Sequence, residues 1–534
     1  MIGIILVLLA ARVALGADAA RRRSATDVVD EIRTEALRLS NDSSGRPLPL
    51  ASHWNCGDPP EGLPPNYWLH WLDDGRHILP WFMLPKPEQS ATPAQLAYYD
   101  RALRRCAQLK LPISFISAQW EHYLSKPPYL GLPAEKNPNT VLADGTIKPE
   151  VSPMGAVAPW REMGPKWMKS PLMLRLQQLY PDPPMVLFVS DNEQPRLMWS
   201  DAEKDVRFVR AYGKGKSAEE RRKIFAERWV VPYRAMILSM RASLANDTWR
   251  AASRFIGYEA FGPPFMGRWE GWDQFAYHVP GRIDPAPIIW DGATPSYYTH
   301  DWNSIADYKA YSPQIESMNW IFMQRAALAE NPRFWFEISV WDGHEPTLAK
   351  DKRAQYAAAG QSFSPARYGG YVQFGMWLLR PRAVREFRGT MAKRAEDVPF
   401  FEKILDAVDR VYANATLTDF WRHAELVPNH AHTHHYDKNV PAEFAKQDRW
   451  FLLDTTLDPP RPWALETEIP VFSLALVKGR APRRQWLVYA HSPLRDRQGV
   501  EVTVPGYGNT KIDVTQDGVF HLLDEGKGTC LKVE

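Results

Sequence analysis

Carboxyl-bearing residues recur in this chain at one kind of position, directly after an apolar, strand-like run. "MVLFVSDNEQPRLMW" (Met185–Trp199) breaks from apolar residues into Asp191-Asn192-Glu193. About 140 residues on, "RFWFEISVWDGHEP" from Arg333 carries Glu337, Trp341, Asp342 and His344. Other apolar runs end in Gln119, Trp120 and Glu121, in Tyr258 and Glu259, in Asp291 with Tyr297 and Tyr298, and in Gln373 and Trp377. Cys is missing from this set, and so is an evident nucleophilic Ser. Carboxyl pairs flanked by flat aromatic faces suit acid–base and carboxylate-nucleophile chemistry on a sugar. Glu337, between Phe336 and Ile338, is an acid in an apolar strand, which is costly to bury unless it has a task. Each aromatic has ordinary core packing as its alternative.

The elements that position these residues alternate. A strand is expected at "HILPWFML" (His77–Leu84) and a helix over Thr92–Lys110, with Thr92 as N-cap and Pro93 at its first position. Pro112–Leu124 starts apolar and turns polar, and Ser125–Lys169 reads as a long functional loop. Ser170–Tyr180 is expected to be helical. Ser217–Ala245 opens with a capping box, Ser217 with Glu220, and is expected as one long amphipathic helix. Further strands are expected from Arg254, Ala286, Arg333 and Tyr368, the last being "YGGYVQFGMWLLRP". Strand followed by helix, repeated without a Gly-rich phosphate turn, predicts an α/β fold of the (β/α)8 TIM-barrel type rather than a doubly wound sheet. The last stretch changes to short alternating strands with Gly, Pro and Asn turns, so a small C-terminal antiparallel β-sandwich is expected. The expected division is a leader at 1–19, an N-terminal extension at 20–65, the barrel at 66–455 and the sandwich at 456–534.

A parallel barrel gathers its active site at the carboxyl ends of its strands. A strand ending in Asn192-Glu193, followed by a later strand carrying Glu337 in "FWFE", resembles the clan of retaining (β/α)8 glycoside hydrolases. The resemblance implies that Glu193 on strand four is the acid/base, Glu337 on strand seven the nucleophile, and Asn192 the partner of the sugar 2-hydroxyl. It also implies a strand-six Tyr near the nucleophile, Tyr297 or Tyr298, and Trp377 as the floor of a subsite. Trp120, Glu259, Trp341 and His344 complete the expected substrate-binding set. The expected function is cleavage of a polysaccharide or oligosaccharide by retaining double displacement, without a cofactor or metal. A catalytically silent carbohydrate-binding barrel is the alternative.

Composition bounds the partners. The 534 residues are 45% hydrophobic and 24% charged, with 22 Trp and a formal net charge of +3, which does not suit nucleic-acid binding. His300, Arg367 and the cluster His430, His432, His434 and His435 favour an acidic or sulfated glycan. The same cluster is the basis of a second alternative, a metal-dependent hydrolase, against an ordinary surface loop. "MIGIILVLLAARVALGADA" has the plan of a cleaved export signal, so a secreted or periplasmic protein with no membrane span is expected. Export permits a disulfide, and Cys56–Cys106 is the candidate pair.

Overall fold

The computed structural model describes residues 23–39, 42–54, 67–84, 86–88, 92–118, 120–191, 196–257, 289–298, 320–321, 324–325, 327–341, 364–387, 398–429, 450–453, 471–493 and 495–533. Eight parallel strands form a nearly closed barrel. They are β1 (Leu50–His53), β2 (Trp81–Met83), β3 (Ile113–Ala118), β4 (Val186–Asp191), β5 (Ser253–Gly257), β6 (in two pieces, Gly292–Ala293 and Ser296–Tyr298), β7 (Trp335–Trp341) and β8 (Ala383–Glu386). β8 pairs with β1, and a single parallel bridge, Ala51 to Ile78, closes the ring onto the segment entering β2.

Periodicity-two residues divide between two surfaces. Phe82, Phe115, Phe188 and Phe255 are paired neighbours on β2 to β5 and form a ladder of rings. The ladder faces the helical layer. Phe82 packs on Tyr98 and Tyr99 of α1 (Pro93–Leu109), and the guanidinium of Arg241, from α4 (Val230–Ser243), lies over Phe255. Each buried ring contributes roughly 1.5–3 kcal/mol of apolar burial. The alternate residues of these strands face the barrel interior.

Two elements differ from expectation at the barrel's closure. β1 lies inside the segment expected to be an N-terminal extension; four residues, Leu50–His53, are too short for periodicity to single out. The apolar stretch expected as strand eight is instead helix α5 (Pro365–Leu379), and strand eight follows it at Ala383–Glu386. Nearly every residue of α5 is buried, because one side packs on the barrel and the other on the C-terminal sheet, so no polar face betrays the helical period. Its start is marked by local chemistry, with Ser364 accepting from the Arg367 amide and Pro365 in the first turn.

Other helices follow their signals more closely. The predicted capping box at Ser217 and Glu220 is present, but it opens α3 (Ala218–Arg228), which breaks at Trp229 before α4 begins. Pro232, two residues into α4, lacks the amide needed to continue one unbroken helix. Ser125–Lys169 is ordered into short 3-10 turns, a hairpin pairing Asn139–Val141 with Ile147–Val151, and α2 (Ala158–Met168).

The C-terminal unit consists of a five-stranded antiparallel sheet and a two-stranded ribbon. The sheet recruits Glu425–Leu426, from the stretch expected to belong to the barrel, beside Phe472–Lys478. One sheet face carries Trp486 and Val488 against Val502, Val504, Ile512 and Val514 of the ribbon. The opposite face meets α5, where Phe374 packs against Phe472 and Tyr489 and the Tyr489 hydroxyl donates to the Gly370 carbonyl. Cys106 is a buried, free thiol whose pKa burial pushes far up, and Cys56, its candidate partner, lies outside the described residues.

Candidate functional site

The strand pairings fix the height of each residue in the barrel. Going round from β1, the chain gains three residues on β2 (Ile78 to Trp81), two on β5 (Arg254 to Ile256), two on β7 (Trp335 to Glu337) and one on β1 (Leu50 to Ala51). The total stagger is eight residues over eight strands, the shear of a TIM barrel. Equal height therefore advances one residue per strand beyond the paired position.

Glu337 then shares its level with Ser52, Ser114 and Ile256, four side chains from alternate strands forming one interior layer. The next such layer up holds Trp54, Ile116 and Ser339, and Trp54 Nε1 donates to Ser339 Oγ at 2.9 Å. Ser190, paired through Gly257 and Ala293 to Phe336, stands level with Ser339. Glu337 is thus three residues below the level of Asp191 at the end of β4, about 8 Å down a tilted strand.

Glu337 is fully buried and completely partnered. Arg385 grips it with two hydrogen bonds, Nε to Oε2 at 2.8 Å and Nη2 to Oε1 at 2.9 Å, and Trp335 Nε1 donates to Oε1 at 2.7 Å. The third guanidinium nitrogen of Arg385 reaches Ser52 Oγ at 2.8 Å. Barrel interiors are usually filled by branched apolar side chains, so this polar layer departs from a purely packing solution. Arg385 and Ser52 escaped the sequence reading because both strands that carry them did.

Aromatic rings crown this layer on the β7–β8–β1 side. Trp341, at the end of β7, packs on Phe387 with centroids 5.7 Å apart, and Phe387 meets Trp54 edge-on at 6.1 Å. Trp341 was expected here, whereas Trp54 and Phe387 were not. Met83, at the end of β2, is 39% exposed.

The remaining expected residues fall elsewhere. Tyr297 turns outward, stacked on Tyr371 of α5 at 4.9 Å and beside Trp320 at 5.1 Å, so its ring belongs to the helix interface rather than the mouth. Tyr298 pairs with Trp341 across β6 and β7. Trp120 is fully buried against Phe255 and Trp290, leaving no face for a sugar ring. Trp377 lies on α5, not at a strand end, wedged between Trp421 and Phe520, so it floors no subsite. Asn192, Glu193, Glu259, His344, Asp342 and the His430–His435 cluster lie outside the described residues.

Beside the β3 and β4 ends sits a second buried acid. Glu121 accepts the Tyr233 hydroxyl at 2.8 Å, and the charge of Arg196 acts on both groups. Burial raises the pKa of Glu121 against the smaller opposing pull of its hydrogen bonds and of Arg196. Burial likewise drives Tyr233 upward.

No known protein family matches the chain, and no curated protein matches it. Among solved structures, the catalytic domain of a family 26 endo-β-1,4-mannanase from a Bacillus species aligns at 11% identity over 72% of this chain and 90% of that one, with a TM-score of 0.40. An engineered protein aligns at 10% identity over 91% and 98%, TM-score 0.39. A family 51 α-L-arabinofuranosidase from Bifidobacterium longum aligns at 11% identity over 86% and 85%, TM-score 0.29. These distant neighbours include barrel glycoside hydrolases, but likenesses this low carry no functional weight, and the barrel rests on its own strand pairing.

Proposed function

We propose that the chain is a retaining glycoside hydrolase that cleaves a polysaccharide at the carboxyl ends of its barrel strands. The observation that supports this best is the filling of the barrel's upper interior. Trp54, Phe387 and Trp341 pack their rings above the polar group of Glu337, Arg385 and Ser52, where a purely structural barrel would place branched aliphatics. Glu193, two residues beyond the end of β4, is the proposed proton donor and later the base that activates water. Asn192 is its proposed partner in holding the sugar. The leader read in residues 1–19 makes this a secreted or periplasmic enzyme in the proposal, and the His residues named above favour an acidic glycan, whereas Arg367 is buried on α5 and takes no part.

Two carboxylates are candidates for the nucleophile. Glu337 has the resemblance behind it and a bidentate arginine to hold its geometry. Asp342, the residue following the end of β7, is favoured by the stagger, since Glu337 lies about 8 Å below the Asp191 level and retention wants carboxyls about 5–5.5 Å apart. Glu193→Ala, Glu337→Gln and Asp342→Ala, assayed for reducing-end release on neutral and anionic polysaccharides, separate these assignments. Loss of turnover in Glu193→Ala together with one of the other two, in folded protein, identifies the pair. Full turnover in Glu193→Ala rejects the proposal.

A further inference from the structure

The C-terminal sheet carries two buried histidines, one on each face, and the chemistry proposed above uses neither. His491 ends the strand Gln485–His491 and lies on the face that meets α5. Its ring is stacked on Phe472 with centroids 5.5 Å apart and stands 6.1 Å from Phe374 of α5. It is 2% exposed, and neither ring nitrogen has a hydrogen-bond partner among the described residues. A Cβ on Gly370 would stand 3.0 Å from its Nδ1, so α5 closes directly over the ring. An imidazolium would bring a charge and two N–H donors into this seam, where the aromatic rings offer no acceptor.

The charged and titratable groups described around the seam do not relieve that cost. Arg367 is buried on α5 one turn before Gly370, and its charge opposes a second positive one. Asp517, in the turn that packs on Gly369, is engaged by Lys403 at 3.0 Å. Arg410 lies over the Phe520 ring, and Tyr489 donates its hydroxyl to Gly370. Burial, with Arg367 added, pulls the His491 pKa down to about 3.

His521 lies on the other face, two residues before Leu523, whose side chain packs with Ile512 and Val514 of the ribbon. Its Nε2 accepts the Asp513 amide at 3.3 Å, so that nitrogen must be unprotonated. Its Nδ1 is buried without a hydrogen-bond partner among the described residues. Asp513 of the ribbon and Lys532, paired with it on the last strand, are its charged neighbours. Burial lowers its pKa, Asp513 opposes this only in part, and Lys532 adds to it.

We propose that His491 and His521 form an acid-sensitive latch: neutral, they let the sheet close on α5 and on the ribbon, and protonated, they release both faces. α5 joins β7 to β8, so release on its side frees the segment between Glu337 and Arg385. A released histidine titrates near 6.5, so closure is fully favourable above that pH and weakens as pH falls from 6.5 toward the lowered values of the closed state.

Hydrogen exchange of the full chain from pH 7.5 to 4.5, corrected for the intrinsic pH dependence of exchange, tests the latch. Protection of α5 and of the ribbon is expected to fall about tenfold for each pH unit below 6.5, while β3 and β4 keep theirs. His491→Phe, which keeps a ring and cannot ionise, should flatten the response of α5 and leave that of the ribbon. His521→Gln, which can still accept the Asp513 amide, should do the reverse. Constant protection of α5 in the native chain down to pH 4.5 overturns the proposal without need of any variant. An undiminished slope at α5 in His491→Phe overturns it too, as does an equal loss of protection in β3 and β4, which would mark global acid unfolding.

Discussion

Glu337 and Arg385 meet face to face across adjacent strands, both wholly removed from solvent, with two parallel hydrogen bonds of 2.8 and 2.9 Å between them. Such a pair has lost two hydration shells, and its own attraction plus the flanking donors must repay that loss. Removing one partner leaves an uncompensated charge in the barrel, whereas removing both leaves only a packing question. Arg385→Met is therefore expected to destabilise the fold by about 3–5 kcal/mol. Adding Glu337→Leu to it should recover a large part of that loss. Urea unfolding of the two single variants and the double variant gives the coupling directly, and simple additivity would refute the pairing energetics.

A second charge cluster sets a pH dependence at the segment entering β2. His77 Nδ1 contacts Asp409 at 2.7 Å and its Nε2 contacts Glu31 at 2.8 Å, with the ring stacked on Tyr412. Burial pulls the His77 pKa down, but the two carboxylates together outweigh it and raise the value above 6.5. Burial pushes Glu31 up, and the His77 and Arg23 contacts outweigh that and hold it below 4.5. The histidine's contribution is complete below pH 6.5 and is lost as pH rises through its raised folded value. The Glu31 contribution is present above 4.5 and is lost as pH falls through its lowered folded value. The stability gap between the native chain and His77→Gln should thus be widest between those two values, on the order of 1–2 kcal/mol for a charge-assisted pair with one exposed partner. Melts across a pH series should show it shrinking toward alkaline pH; a gap independent of pH would remove the ionic account.

The seam between barrel and C-terminal sheet depends on a missing side chain. A Cβ on Gly370 would stand 2.0 Å from the Gln516 carbonyl oxygen, a backbone atom that cannot swing aside. Gly370→Ala should then cost about 1–3 kcal/mol, in the range of an overpacked core. Thermal unfolding checks it, and an unchanged melting temperature would mean that the helix can lift from the sheet without penalty.

Trp341 and Trp377 were expected to share a task and are predicted to part company. Trp377 is 1% exposed between Trp421 and Phe520, so Trp377→Ala should cost about 3–5 kcal/mol with KM unchanged in whatever remains folded. Trp341→Ala, at the end of β7 beside Phe387 and 7% exposed, should also cost stability but should in addition raise KM about tenfold, the worth of one stacked ring. Steady-state kinetics alongside urea melts of the two variants distinguish the roles, and a matched pair of phenotypes would contradict them.

What the sequence conveyed follows from where burial is one-sided. β4 and β7 stand out because apolar runs break into polar residues at the barrel mouth, and α3 because Ser217 and Glu220 advertise its start. α5 misleads because packing on both sides erases the helical period, which displaced the expected strand eight and with it Trp377 and Arg385. Tyr297 and Trp120 illustrate a different blindness. An aromatic at a strand end reads the same whether it faces the interior or a helix, and only the pairing register of β6 with β7, or the turn after β3, decides the side. Trp54 was hidden with β1, too short to carry a pattern, and was found only through its bond to Ser339.

The most direct test is azide rescue of Glu193→Ala. The variant is incubated with a dinitrophenyl glycoside of the sugar that the native chain releases, whose leaving group departs without protonation, with and without sodium azide, and the product is examined by NMR. The proposal requires near-complete loss of hydrolysis without azide and, with it, a glycosyl azide of retained anomeric configuration, because azide attacks the glycosyl-enzyme where water no longer has its base. Undiminished hydrolysis by the variant, or an azide product of inverted configuration, would contradict Glu193 as the acid/base.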